Sequence, residues 1–201
     1  MQDLIHTALA ASQTYAEYRQ HLTDLLAEGK TTGPKQTETY ISAATINQSR
    51  MDRLDRKARF TPEMEDALAG LAQPYLMLAI TEGWCGDAAQ IIPLFNHMAN
   101  ASDQLKLLLV FRDEHPGLID RFLTDGGRGI PKILFLDPET FAVKAHYGPR
   151  PAPAQEMALN YKHKRGPYTD YDEYNVALHT WYARDKTKTT QAEVVRLLQN
   201  L

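Results

Sequence analysis

Apolar positions along the chain change their spacing twice. Over residues 1 to about 58 they recur at helical intervals, with Leu4, Leu9, Tyr15, Tyr18, Leu22, Leu25 and Leu26 on one stripe. Gly29-Lys30-Thr31-Thr32-Gly33-Pro34 interrupts that stripe with turn formers, and a second, more polar helix is predicted over residues 36–57. Thr61-Pro62-Glu63 offers a capping hydroxyl, a first-turn proline and an early acid, so a short helix should start there and stop near Gly70.

From Pro74 the pattern shortens. Tyr75-Leu76-Met77-Leu78-Ala79-Ile80 is a continuous apolar run of buried-strand length. A helix over 85–100, a strand over 105–111, a short helix over 117–123 and a strand over 132–136 follow by the same reading. Asp137-Pro138-Glu139-Thr140 is a turn, and residues 141–147 form the returning strand of a hairpin. This order predicts an α/β arrangement, a central sheet flanked by helices. After Gly148-Pro149-Arg150-Pro151 the helical period returns over 152–164, 169–186 and 189–201. Tyr171, Tyr174, Leu178, Trp181 and Tyr182 lie near helical spacing and read as a packing stripe. The expected organisation is one compact unit: a helical extension (1–60), a core (61–165) and a second helical extension (166–201).

Composition narrows the function classes. With 201 residues, 43% hydrophobic and 23% charged, the chain can bury a core and is neither disordered nor fibrous in type. A formal charge of −3 gives no field that would select nucleic acid or an anionic membrane. No apolar run approaches the roughly 20 residues of a spanning helix, and Met1-Gln2-Asp3 opens without a basic segment, so a cytoplasmic location is expected. Cys85 is the single cysteine, which excludes an intrachain disulfide. The seven histidines show no paired ligand spacing, and no metal site is expected.

Cys85 follows the strand through Thr81-Glu82-Gly83 and stands in Trp84-Cys85-Gly86-Asp87 where a helix starts. There, backbone N–H groups and the helix dipole stabilise a thiolate. Glu82 and Asp87 act in the opposite sense, raising the thiol pKa.

Trp84-Cys85-Gly86 after an apolar strand, Pro93 in the following helix, Gly129-Ile130-Pro131 ahead of another strand, and Gly148 after the hairpin resemble the thioredoxin superfamily. The segments from Gly126 to Lys132 and from His146 to Pro151 are similar to a bacterial group of thioredoxin family proteins that carry Trp-Cys-Gly-Asp. The resemblance covers roughly residues 60–185. It implies a thioredoxin-like fold, a central mixed sheet of about four strands with extra helices at both termini. It also implies that Cys85 is the catalytic thiol, that Pro131 is cis and packs opposite it, and that Trp84, Gly86, Asp87, Arg128, Ile130 and Pro131 shape or bind at the site. Arg128 is expected to face the thiol and offset the acids, and with Lys132 and Arg150 to hold a carboxylate-bearing thiol.

Two departures limit that chemistry. Dithiol members place a second cysteine where this chain has Ala88, and a buried aspartate that assists the resolving thiol where this chain has Ala79. An intramolecular disulfide cycle is therefore excluded. A monothiol oxidoreductase would still exchange mixed disulfides with protein or small-molecule thiols, with no bound cofactor and a low-molecular-weight thiol as co-substrate. The other reading is a non-catalytic binding or scaffold module, or a thiol redox sensor. The peroxidase pattern fits less well, because Thr81 lies four residues before Cys85 and not three.

Overall fold

The structure is a computed structural model that describes residues 1–201. Four strands form one sheet in the order β2-β1-β3-β4: β1 (Tyr75–Thr81), β2 (Leu105–Phe111), β3 (Lys132–Leu136) and β4 (Val143–Tyr147). β1 pairs parallel with β2 and antiparallel with β3, and β3 pairs antiparallel with β4. Every residue of β1 and β3 is buried, because helices cover both faces; this is why those strands read as continuous apolar runs. β4 is an edge strand with alternating burial.

Nine α-helices surround the sheet. Before β1 come α1 (Gln2–Ala10), α2 (Tyr15–Ala27), α3 (Glu38–Lys57) and α4 (Pro62–Ala69). α5 (Gly86–Ala101) crosses from β1 to β2 and packs against α3, and α6 (Pro116–Ile119) lies between β2 and β3. After β4 come α7 (Ala152–Lys162), α8 (Tyr171–Asp185) and α9 (Lys188–Leu198); α7 packs on α8, and α9 on α4. One cluster of buried apolar residues runs through all of them, from Ile5 in α1 to Leu198 in α9.

The first apolar stripe is two helices and not one. Thr14 caps α2 in a reciprocal box with Glu17, its hydroxyl accepting from the Glu17 N–H while the Glu17 carboxylate accepts from the Thr14 N–H. The freed linker is used: Gln13 and Leu109 exchange both backbone hydrogen bonds, at 3.0 and 2.8 Å, which covers part of the open edge of β2.

Smaller differences have local causes. The Asp137 carboxylate accepts from the N–H groups of Glu139 and Thr140, and Phe141 adopts φ 54°, so β4 starts at Val143 and not at 141. The helix expected over 117–123 is the single turn of α6. α7 stops at Lys162, short of Lys164, which is left-handed at φ 53°.

Candidate functional site

Three segments meet at the thiol. β1 ends at Thr81, the chain turns through Glu82–Trp84, and Cys85 becomes the N-cap of α5. The turn is held by the elements that precede the sheet. Asn47 of α3, fully buried, donates Nδ2 to the Gly83 carbonyl at 3.0 Å. Gly83 N–H donates to the Thr32 hydroxyl at 2.9 Å, and that hydroxyl donates to the Glu82 carboxylate. A Cβ on Gly83 would stand 2.5 Å from Leu22 Cδ2, so only glycine admits α2 this close.

Glu82 therefore acts differently from the expectation. Its carboxylate is taken by Thr32 and by the Asp113 N–H, at 2.9 Å for the latter, and burial pushes its pKa up. The acid that bears on the thiol is Asp87.

The Cys85 thiol donates to the Ile130 carbonyl at 3.3 Å, and Sγ accepts from the Ala88 N–H at 3.5 Å. The Ile130–Pro131 peptide is cis, and Pro131 is buried. Cys85 is only 7% exposed. Burial first, and the Asp87 charge second, push its pKa up to about 12; the Ala88 N–H and the Arg150 charge oppose them without winning. The helix start does stabilise a thiolate here, but desolvation outweighs it.

α8 packs on the two residues that follow Cys85. His179 of α8 lies over Gly86, where a Cβ would stand 2.7 Å from its Nε2 and 3.4 Å from Nη1 of Arg50. His179 Nδ1 is paired with Nε2 of Gln90 at 3.3 Å. Burial, then Arg50 and Arg150, pull its pKa down to about 3, so the ring is neutral at pH 7. Tyr182, one turn further along α8, donates to Asp87 Oδ1 at 2.8 Å. Arg150 completes the group with Nη2 2.7 Å from Asp87 Oδ2. Burial opposes the Arg150 charge, and Asp87 more than restores it, so the guanidinium is held above its usual range. Arg150 Nε and the Tyr174 hydroxyl are buried nearby without hydrogen-bond partners.

The other expected residues separate. Trp84 is half-buried, its ring against Tyr40 at 4.9 Å with the Arg112 guanidinium over it at 4.9 Å. Arg128 does not offset the acids at the thiol: it is exposed and forks onto both Asp120 oxygens at 2.7 Å. Lys132 is buried and spends its ammonium on the Thr124 hydroxyl at 2.8 Å and the Gly148 carbonyl at 2.7 Å. Its pKa is pulled down to about 8 by burial. Of the three cations expected at the site, only Arg150 is there. Sequence reasoning missed His179 altogether and read Tyr182 as packing alone; the hydrogen bond from Tyr182 to Asp87 spans 95 positions, which no local pattern reports.

A family model described as Thioredoxin matches residues 33–165, more than half of the chain. Two solved structures superpose over nearly the whole chain. One is a protein of unknown function from Pseudomonas aeruginosa, with 18% identity, TM-score 0.56, and 93% of this chain and 98% of that one covered. The other is an HIV epitope scaffold, with 15% identity, TM-score 0.55, and 94% and 99% covered. At these identities they show a shared fold. No curated protein matches the chain.

Proposed function

The chain belongs to the thioredoxin family, and from that premise we propose that Cys85 works as a monothiol exchange group, stored protonated beneath α8 and reactive when that cover lifts. The observation that carries this reading is the position of Sγ. It lies at the N-cap of α5 within reach of the Ala88 N–H, so the donors a thiolate needs are built in, while the largest influence against the thiolate is burial. Lifting α8 removes that influence and leaves the donors in place.

In the open state the Cys85 thiolate attacks one sulfur of a mixed disulfide. A new disulfide forms to Cys85, the old S–S bond breaks, and the leaving thiolate takes a proton from water. A second small thiol then attacks the Cys85 adduct, restores the free thiol and leaves as a symmetrical disulfide. No resolving cysteine is required, in keeping with Ala88. Arg150, with a buried Nε that has no partner, is suited to a carboxylate on the small thiol. A free Cys85 also suits a reducing compartment such as the cytoplasm.

A second reading is favoured by the same burial: a binding module in which Cys85 only packs. Turnover separates the two. The wild-type chain should reduce a glutathione mixed disulfide in the presence of excess glutathione, and Cys85→Ser should abolish this while keeping its thermal transition. Equal rates in the two proteins, or no turnover by Gly86→Ala, in which His179 is displaced, would leave the binding module as the function.

A further inference from the structure

A cavity of about 550 Å³, lined in part by Tyr182, opens between the C-terminal end of α3 and the α8–α9 junction. Five cations line it: Arg53, Lys57, Arg59, Lys186 and Lys188. No acidic residue lines it, and none of the five belongs to an ion pair. In a chain of net charge −3 these five cations face one another without an acidic partner, and Arg59 is taken up locally, donating to the Arg56 and Ala58 carbonyls at the end of α3. The floor is apolar and firm, with Leu54 and Tyr182 buried and Phe60 half-buried. The α8–α9 junction is a tight reversal in which Lys186 and Thr187 are both left-handed, at φ 54° and 68°, and it carries Lys186 and Lys188 on the cavity wall. Such conformations in consecutive non-glycine residues persist where the surroundings impose them, and they concentrate at ligand sites.

We infer that this cavity binds a small organic polyanion, a molecule with two or more phosphate or carboxylate charges on an aromatic or aliphatic body. The cations take the charges, the Leu54, Phe60 and Tyr182 floor takes the body, and the volume is that of a small-molecule pocket. The ligand would bridge the end of α3 to the α8–α9 junction, and α8 packs on Gly86 and Asp87 beside Cys85. Tyr182 belongs to both sites, donating to Asp87 while lining the cavity. Arg53 is joined to His179 through Gln90, with Nη2 3.4 Å from Gln90 Oε1. An anion between the two rows of cations replaces their repulsion with attraction and holds α8 down. The binding site itself stands apart from the monothiol reading, because its primary readout is affinity.

Calorimetric titration of the full chain with adenosine diphosphate, inorganic pyrophosphate and a short single-stranded oligonucleotide tests it at low ionic strength. One saturable site for adenosine diphosphate is expected, weakened about tenfold or more in the Arg59→Gln/Lys188→Gln double variant, whose residues are exposed. Pyrophosphate should bind more weakly, lacking a body for the floor. Saturating adenosine diphosphate should slow alkylation of Cys85 severalfold. Absence of a saturable site, equal affinity in the variant, pyrophosphate binding as tightly as the nucleotide, or preference for the oligonucleotide each overturns the site as drawn. Unchanged alkylation at saturation overturns the bridge.

Discussion

Cys85 is held between two opposed influences at atomic range, the Ala88 N–H that stabilises a thiolate and the burial that forbids it. With the pKa at about 12, roughly one thiol in 10⁵ is ionised at pH 7 in the closed state. Alkylation by iodoacetamide should therefore be slow at pH 7 and still be climbing at pH 10, where a free thiol, with its pKa of about 8.5, has already levelled off. A plateau below pH 9 would show an exposed, ordinary thiol. Asp87 is the neighbour most tightly bound, taking Tyr182 and Arg150 on separate oxygens. Arg150→Met leaves that carboxylate buried with the hydroxyl alone, and a loss of about 3 kcal/mol in denaturant unfolding is expected. Asp87→Asn with Arg150→Met should recover part of this loss, because no uncompensated charge remains.

At the scale of elements, the start of α5 and the middle of α8 form one contact. Gly86 permits it: the alanine methyl of Gly86→Ala would meet His179 at 2.7 Å and press on α8. A stability cost of about 1–3 kcal/mol is expected from overpacking, with alkylation of Cys85 faster by about tenfold as burial is relieved. His179 makes the same contact sensitive to pH. Its folded pKa, about 3, lies below the unfolded value of about 6.5, so its contribution is complete above pH 6.5 and is lost as pH falls towards 3. About 2 kcal/mol should disappear between pH 6.5 and 5. His179→Gln should flatten that part of the stability profile measured by urea unfolding, and an unchanged slope would remove His179 from the account.

Across the whole molecule, the helices before the sheet work from inside the core. Leu22 of α2 is 2% exposed and lies against Gly83, next to the thiol turn, while Asn47 of α3 holds the Gly83 carbonyl. Leu22→Ala should cost about 3 kcal/mol, and the urea transition should stay single, since one apolar cluster joins α1 to α9. Two separated transitions would show that the N-terminal helices fold independently of the sheet.

The sequence by itself determined the first three strands and the position of Cys85, while the start of β4 was set by the turn that Asp137 holds. β2 and β3 span 105–111 and 132–136, the bounds that the apolar runs set, although each carries a lysine, Lys106 exposed in β2 and Lys132 buried in β3. The Trp84-Cys85-Gly86 turn and the Gly129-Ile130-Pro131 segment were equally legible, being contiguous. The split between α1 and α2 was also written, in Thr14 and Glu17, but a continuous apolar stripe masks a cap unless both are weighed. What only the tertiary structure decided is the state of the thiol. Arg128 and Arg150 are the same residue type on neighbouring loops, yet one is spent on Asp120 in solvent and the other on Asp87 in the interior. Desolvation depends on what distant segments lay over a group, and α8, which packs on Gly86 and Asp87 beside Cys85, lies nearly a hundred residues further along the chain.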